Sequence, residues 1–503
     1  MEENTRTNEE TITEESANEL KKQSFFGFVW RFIQNTSSQI IAFVIQIVLA
    51  RLLTPDDYGI ISLTAVFITI SNVFVQNGLT SALVQKKEID ECEKSSMFYL
   101  SIVIGVVLYF ILFFLSPLIA SFYNIESISS ILRIQSISLI FSSLSSVSVA
   151  LIQRNLKFKK TFFISIIGYI FQGGIGIFLA YKGYGVWALV WGTLAYNFIY
   201  SFGNIIFCKW WPKLMFSFKK VKTLLVYSSN ILFSNLISAI FTSSRTLIVG
   251  KYYDSQTLGL YDRGNQFPTA LMTGFDGAFS TVLYSSLSKV QDDKERLVRY
   301  LRKSIRISLT ISAPLMFGLA AVAKPTILLL LTEKWVECVP FLMIYCFICV
   351  MWPLSAKTQA LNAYGKSKVT FITNIITVII NIAIMFICIQ FGIMVFAVGT
   401  LIGNFIGVVL SAIVSKKYLD YGIWDQIVDC APAYLVSGAM FGVVYSLSLF
   451  IGLAPIFQLL ILVPIGIIVY TLLSFLFKIE GFMFIVNVVK ARLKRNKSNE
   501  LKS

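Results

Sequence analysis

Polar and charged side chains recur inside a segment that is otherwise apolar, residues 259–284 (GLYDRGNQFPTALMTGFDGAFSTVLY). Arg263, Gln266 and Thr273 lie three or seven residues apart, a spacing that places them on one face of a helix. A guanidinium group stays charged and pairs with oxyanions, whereas amide and hydroxyl groups bind other polar groups. Charge that faces lipid is costly. The segment therefore predicts a helix that faces a hydrated cavity.

Two further segments, near residues 31–38 and 235–245, carry a similar polar face. Together the three faces predict one shared hydrated cleft. For Arg31 and Arg245, which lie near the ends of their apolar segments, the alternative is that the side chain reaches back to the membrane interface. The candidate binding residues are Arg31, Asn35, Ser38, Asn235, Ser238, Thr242, Arg245, Arg263, Gln266 and Thr273.

Two carboxylates of the first segment are candidates for coupling to H⁺ or Na⁺. Asp276 lies deepest in the segment and is interpreted either as a salt-bridge partner or as a coupling-ion site. Asp262 is adjacent to Arg263, and successive residues of a helix point apart, so it is a poor partner for that arginine. We place Asp262 at the rim of the cleft.

The composition is that of a polytopic α-helical membrane protein. Of the 503 residues 56% are hydrophobic and 14% are charged, whereas soluble proteins carry about a quarter charged residues. Apolar runs such as 101–120 and 459–477 approach the ~20 residues that a helix needs to cross ~30 Å of hydrocarbon. The sequence has no histidine, which excludes a Ser-His triad and a histidine proton relay. It has no GxxxxGK[ST] loop for ATP, and neither a metal nor another cofactor is predicted.

Apolar windows separated by charged or turn-forming residues predict about fourteen spans, centred near residues 40, 69, 106, 140, 171, 196, 236, 270, 311, 349, 380, 403, 439 and 466. With both termini in the cytoplasm, nearly all loop Lys and Arg residues fall on the cytoplasmic side, as the positive-inside rule requires. Topology thus explains the net charge of +16, and no nucleic-acid partner is predicted. The basic run 294–306 is interpreted as a positive-inside anchor, with binding of anionic lipid head groups as the alternative.

An internal repeat divides the chain. Gly59 aligns with Gly259 at an offset of 200, and residues 185–199 align with 392–406 without a gap. The repeated unit spans six helices, so the two copies have the same orientation and are related by an axis along the membrane normal. The predicted organisation is a disordered cytoplasmic leader (1–24), an N-lobe with spans 1–6 (25–208), a basic cytoplasmic linker (209–222), a C-lobe with spans 7–12 (223–415), spans 13 and 14 (416–478) and a basic cytoplasmic tail (479–503).

Motifs in a set order along the chain resemble those of a known family. They are LARLLTPDDYGI, NGLTSALVQKKEI, ALIQRNLKFKKT, GYGVWALV, VGKYYDSQTLGLYDRGNQFP, LSKVQDDKERLVRYLRK and LLLLTEKWVECVPFL. This set resembles the Wzx-type polysaccharide flippases, in particular the lipopolysaccharide, colanic-acid and teichuronic-acid exporters of the multidrug/oligosaccharidyl-lipid/polysaccharide (MOP) superfamily. The resemblance covers about residues 25–480.

The resemblance implies a fourteen-helix flippase of the bacterial cytoplasmic (inner) membrane. Its cargo would be an undecaprenyl-diphosphate-linked oligosaccharide repeat unit, moved by alternating access for capsule, O-antigen, exopolysaccharide or teichuronic-acid synthesis. Superfamily members hold the lipid diphosphate with cavity cations, for which Arg31, Arg245 and Arg263 are the candidates here. Membrane lipids and a polysaccharide polymerase would be further partners, and no enzymatic activity is expected.

Three alternatives differ in what they require of the sequence. A multidrug or cation antiporter of the same superfamily favours a carboxylate-rich cavity, whereas the candidate cleft is richer in arginine. A membrane-bound polymerase or ligase requires a large outward loop with catalytic groups, and the outward loops here are short. A lipid II flippase differs mainly in its cargo.

Overall fold

Helices form nearly all of the described chain, as the long apolar runs predict. The structure, a computed structural model, describes residues 30, 34, 36–77, 80, 83, 84, 86, 89–155, 158–288, 290 and 293–500. The predicted leader, residues 1–24, lies outside them. The α-helices are α1 (Thr36–Leu52), α2 (Pro55–Asn72), α3 (Glu91–Tyr123), α4 (Ser127–Gln135), α5 (Ile137–Arg154), α6 (Phe158–Tyr181), α7 (Val186–Cys208), α8 (Phe218–Tyr252), α9 (Ser255–Ser288), α10 (Lys294–Ala321), α11 (Ala323–Leu330), α12 (Val339–Cys349), α13 (Ala356–Ala363), α14 (Ser367–Cys388), α15 (Ile393–Leu419), α16 (Ile423–Phe450), α17 (Pro455–Leu476) and α18 (Glu480–Glu500).

The helices account for the predicted membrane spans. Eleven helical stretches of the described residues are long and apolar enough to cross a membrane. Three further helices, α1, α7 and α9, coincide with the remaining predicted spans, so every predicted centre falls within a helix. The prediction of an all-α polytopic membrane protein with about fourteen transmembrane helices is confirmed.

The chain groups into two compact units, Met1–Gly259 and Leu260–Ser503, here called unit 1 and unit 2. The division falls inside α9. The predicted linker contains the start of α8, at Phe218, and the predicted tail contains α18. The predicted lobes and their limits, with a C-lobe that begins at residue 223, stay a prediction.

Two repeat-equivalent helix starts are capped by side chains in a similar way. α2 follows Thr54, whose backbone N donates to Asp57 Oδ2 (2.9 Å) while its hydroxyl accepts from the Asp57 backbone. α9 follows Asp254, whose Oδ1 accepts from the backbone N of Thr257 (2.9 Å). Such caps satisfy backbone N–H groups that the first helical turn leaves without an intrahelical partner. The helix breaks therefore recur 200 residues apart, as the repeat predicts.

These two helix starts cross within unit 1 at Gly59 and Gly259. A Cβ added at Gly59 would lie 1.7 Å from the carbonyl oxygen of Ser255, and a Cβ at Gly259 would lie 1.9 Å from the carbonyl oxygen of Pro55. Ser255 Oγ also donates to Asp56 Oδ1 across the crossing. Since each glycine contacts the backbone at the start of the other's helix, the contact is reciprocal, and neither position has room for a side chain.

The second stretch of the repeat also folds alike in each unit. α7 follows Gly185 (φ +54°) and α15 follows Gly392 (φ +110°), both in the region of φ that favours glycine. Asn197 on α7 and Asn404 on α15 each donate from Nδ2 to the carbonyl four residues earlier, at 2.9 and 2.8 Å. The aligned residues thus have equivalent local structures.

In unit 2 the helix α10 supplies a continuous apolar stripe. Leu297, Leu301, Ile305 and Leu309 recur every four residues and are fully buried, and α10 packs against α16 and α18. Burial of one such side chain contributes about 1.5–3 kcal/mol. The stripe therefore determines which face of α10 is buried, and its charged residues lie to either side.

The substitution Gly59→Ala tests the crossing. The added Cβ overlaps a backbone oxygen, so we expect the helices to separate and the free energy of unfolding to fall by at least about 1–3 kcal/mol. Thermal and denaturant unfolding of the purified protein in detergent would measure this loss.

Gly174→Ala is the matched control, because Gly174 is also helical and in unit 1, but a Cβ added there meets no other atom within 4 Å. Alanine should be neutral there or stabilising by about 1 kcal/mol. Equal stability of the two variants would contradict the close contact at Gly59.

Candidate functional site

Of the three candidate residues of the first repeat, the structure describes one, Ser38. Ser38 lies on α1 and is half-buried. Arg31 and Asn35 lie outside the described residues. Their placement in the predicted cleft stays a prediction.

The second group of candidates forms a polar stripe on α8, in unit 1. Ser238 and Thr242 are exposed, and Asn235 and Arg245 are half-buried. The spacing of three and four residues places all four on one side of the helix. The Ser238 hydroxyl donates to the carbonyl four residues earlier (2.9 Å), and the Thr242 hydroxyl does the same (2.8 Å). These hydroxyls are satisfied as donors within the helix, and their oxygen lone pairs are available as acceptors.

On α9 the structure brings Arg263 and Gln266 together, as their spacing predicts. Arg263 Nη1 donates to Gln266 Oε1, and its guanidinium carbon lies 5.6 Å from the ring centroid of Trp335. Arg263 is only 5% exposed. The charge is therefore packed against an amide and an aromatic face of unit 2.

Two neighbours of Arg263 on α9, Tyr261 and Gly264, explain why the helix packs closely there. A Cβ at Gly264 would lie 2.5 Å from Phe341 Cβ, so glycine lets α9 approach α12 closely. One turn earlier, the buried Tyr345 hydroxyl donates to the Tyr261 hydroxyl (2.6 Å). The first two turns of α9 in unit 2 are thus fixed on α12, which positions the polar stripe that follows.

The remaining candidates of α9 differ in their surroundings. Asp262 is half-buried and Thr273 is exposed. The Thr273 hydroxyl donates to the carbonyl of Thr269 (2.7 Å). Asp276 lies on α9, but its side chain is outside the described part of the structure. The roles assigned to all these residues stay predictions.

An apolar groove in unit 2 was not predicted from the sequence. It encloses about 600 Å³ between α9, α10, α11, α16 and α17. Pro314 and Gly318 on α10 and Gly466 on α17 lie in its walls, where small or bent helix positions leave space. The complete lining is Leu271, Ile311, Pro314, Leu315, Gly318, Leu319, Val322, Thr326, Met440, Val444, Leu459, Leu462, Val463, Gly466, Ile467, Tyr470 and Thr471.

The groove and the polar stripe use different faces of α9. Leu271, which lines the groove, lies about 130° around the helix from the mean direction of Arg263, Gln266 and Thr273, at about 100° per residue. One helix in unit 2 thus separates a polar face from an apolar cavity. Such an arrangement suits a ligand with a charged head and a hydrocarbon tail.

A buried carboxylate, Asp429 on α16, is a second feature that the sequence analysis missed. It accepts from Arg302 Nε (2.9 Å) and from Arg306 Nη2 (2.6 Å), both on α10, and from the Tyr421 hydroxyl (3.0 Å). Burial, and next the adjacent Asp429 charge, raise the pKa of Tyr421. Arg306 also pairs with Glu480 on α18. The cluster connects α10, α16 and α18. The feature of the sequence that could have predicted it is an aspartate within an apolar helical segment.

Asp429→Asn should destabilise the protein, because two arginines lose their shared counter-charge. Breaking a buried pair costs about 3–5 kcal/mol, and we expect the lower end because both arginines are partly exposed. The matched control is Asp425→Asn on the same helix, whose carboxylate lies 3.7 Å from Arg302 and is more exposed. Its loss should cost less than about 1 kcal/mol. Denaturant unfolding in detergent measures both, and equal costs would contradict the central role of Asp429.

Comparison with known proteins identifies the relatives of this chain. Residues 48–340 match a family model described as polysaccharide biosynthesis protein. An uncharacterised membrane protein in the cps region of Klebsiella pneumoniae is 26% identical over 399 residues, which cover 78% of this chain and 82% of that protein. Succinoglycan biosynthesis transport protein ExoT of Rhizobium meliloti (strain 1021) is 24% identical over 343 residues, or 68% of this chain and 69% of that protein.

A solved structure shares the fold. The lipid II flippase MurJ in its inward closed conformation superposes with a TM-score of 0.76 at 22% identity, over 90% of this chain and 98% of that one. At this identity the likeness concerns the fold alone. Because the matched family model covers more than half of the chain, this protein belongs to the polysaccharide biosynthesis protein family, and the predicted resemblance to the Wzx-type polysaccharide flippases of the MOP superfamily is confirmed.

Proposed function

We propose that this protein is a flippase that moves an undecaprenyl-diphosphate-linked oligosaccharide repeat unit from the cytoplasmic to the outer leaflet of a bacterial cytoplasmic membrane. The product serves the synthesis of a surface polysaccharide. The observation that carries the proposal is the apolar groove of about 600 Å³, one wall of which is the helix that bears the polar stripe. A transport role with no chemical conversion of the cargo is part of the proposal.

The chemistry of the cargo fits the two faces of α9. A diphosphate cannot cross hydrocarbon unescorted, since even one charge there costs several kcal/mol. Guanidinium groups pair with phosphate oxygens through two parallel hydrogen bonds, a role we assign to Arg31, Arg245 and Arg263. The prenyl tail gains about 25 cal/mol for each Å² of apolar surface that leaves water, so it remains in lipid or in the groove. The hydroxyl and amide groups of the stripes then form hydrogen bonds with the sugar hydroxyls.

The relatives support this choice of cargo. One is a succinoglycan biosynthesis transport protein, and the matched family model describes a polysaccharide biosynthesis protein. Both descriptions concern the synthesis of a polysaccharide, and the first names transport as well. They favour a sugar cargo over the drug or cation cargo of an antiporter.

The proposal also includes a membrane topology, an ion-coupled mechanism and a partner protein. The Lys/Arg asymmetry of the loops favours a topology with both termini in the cytoplasm. Transport proceeds by alternating access, with Asp276 and Asp262 as the sites that couple it to H⁺ or Na⁺. A polysaccharide polymerase is the partner that consumes the exported repeat unit.

Filling the groove should stop transport. Gly318→Phe projects an aromatic ring into the groove, because a Cβ at Gly318 meets only Met440 Cε, at 3.6 Å. We expect lipid-linked repeat units to accumulate in the cytoplasmic leaflet of a deletion strain that expresses this variant. Leaflet-specific labelling of the lipid-linked sugar is the measurement.

Gly442→Phe is the control for the added ring, since Gly442 is exposed on α16, lies outside the groove and has nothing within 4 Å of an added Cβ. This variant should export normally at the same membrane level. If Gly318→Phe also exports normally, the groove is not part of the transport path.

Loss of the stripe arginines should also lower export. For Arg245→Ala and Arg263→Ala we expect export to fall by about ten- to a hundredfold, because a hydrogen bond to a charged group contributes about 1.5–3 kcal/mol. Lysine keeps the charge without the two parallel hydrogen bonds, so Arg245→Lys and Arg263→Lys should retain part of the activity.

The control for these variants is Lys182→Ala, an exposed cation in a loop. Complementation is scored by the leaflet assay at matched protein levels. Because Arg263 is buried, its variants are scored only if their unfolding temperature matches that of the parent. Full export from folded Arg245→Ala and Arg263→Ala would refute the diphosphate role.

A further inference from the structure

We propose that unit 2 carries a separate binding site for the head group of an anionic membrane phospholipid, on the exposed face of α10. The site consists of Arg296, Arg299, Tyr300 and Lys303, which line one cavity of about 410 Å³. It lies in the basic run that the sequence analysis interpreted as a positive-inside anchor. The proposal depends only on the membrane location of the protein and is independent of its cargo.

The charges of α10 are divided between two kinds of surroundings. Arg302 and Arg306 are bound to Asp429 at 2.9 and 2.6 Å. Lys294 pairs with Asp420 at 2.5 Å. The three cations of the cavity have no carboxylate within ion-pair distance among the residues that the structure describes, and all three are exposed. The helix therefore contains cations that the protein neutralises and cations that it leaves for an external anion.

The spacing of the three cavity cations favours the binding of one anion by all three over non-specific attraction to a negatively charged membrane surface. Arg296, Arg299 and Lys303 lie three and four residues apart, on one side of the helix and around one cavity. Like charges at this spacing repel each other, and one bound phosphate group relieves the repulsion of all three. A positive-inside anchor needs only the number of charges, with no cavity between them.

Apolar surface beside the cations points to a lipid instead of a soluble phosphate. Lys303 Nζ lies 4.3 Å from the ring centroid of Phe484 on α18. Phe484 is 40% exposed, Val488 one turn further is 41% exposed, and Tyr300 is 43% exposed. Phosphate on the cations and an acyl chain along Phe484 and Val488 would cover both kinds of surface. Aromatic side chains next to basic ones are also typical of the membrane interface.

The test measures lipid binding to the full-length protein directly. Purified protein in detergent is titrated with phosphatidylglycerol or phosphatidylcholine, and bound lipid is counted by native mass spectrometry. The parent should bind phosphatidylglycerol in preference to phosphatidylcholine. In the variant Arg296→Gln/Arg299→Gln/Lys303→Gln, affinity for phosphatidylglycerol should fall about a hundredfold, at roughly fivefold for each cation.

The charge-matched control is Lys213→Gln/Lys219→Gln/Lys222→Gln, which removes three exposed cations of unit 1 from the same predicted side of the membrane. It should keep the affinity of the parent. The variant Arg296→Lys/Arg299→Lys keeps the charge and should keep most of the affinity.

Four results would overturn the proposal. The first is unchanged binding by the triple variant of the cavity, and the second is an equal loss in the charge-matched control. The third is displacement of phosphatidylglycerol by inorganic phosphate or glycerol phosphate at similar concentration, which would make the cavity a site for soluble phosphate. The fourth is a loss of affinity in the lysine variant as large as that in the glutamine variant, which would show that charge is not responsible.

Discussion

Hydrocarbon cannot form hydrogen bonds, so each polar group in a membrane span must find its partner within the protein or in a hydrated cavity. Many side chains of this protein meet the demand locally. The hydroxyls of Thr242, Thr273 and Thr400 donate to the carbonyl four residues earlier at 2.7–2.9 Å, and Asn197 and Asn404 do the same through their amides. This solution is available at any position of a helix. A stripe of serine and threonine by itself therefore does not identify a ligand site.

Charged groups have no such local solution, and their positions depend on the tertiary structure. Asp429 is buried because Arg302 and Arg306 reach it from α10, and those arginines are in turn held by it. Arg263 is buried against Gln266 and the ring of Trp335. The two settings differ in what they can bind. A carboxylate between two guanidinium groups connects helices, whereas a guanidinium on an amide and an aromatic ring can exchange a neutral partner for an anionic one.

The sequence predicted those properties that depend on local composition. Apolar run length predicted about fourteen helical spans, and the aligned glycines Gly59 and Gly259 predicted equivalent positions of a repeat. That their helix starts meet there was not predicted. The spacing of Arg263 and Gln266 predicted that they share one face of a helix, and the structure shows that they are also in contact. The partner of Arg302 could not be predicted, because Asp429 lies 127 residues away and only packing brings them together. The groove could not be predicted for the same reason, because its walls come from five helices and each has the composition of an ordinary transmembrane span.

One helix with a polar and an apolar face can lower the free-energy cost of moving an amphiphile across a membrane. A prenyl chain already resides in hydrocarbon, and each CH₂ that left it would cost about 0.8 kcal/mol. A carrier therefore needs to escort only the head group while the tail stays in an apolar environment. On α9 the stripe and the groove lie on different faces of a single helix, and Tyr261 and Gly264 fix its first turns in unit 2 to α12. In the proposed function, the head group would meet the polar stripe while the tail stays in the apolar groove or in lipid.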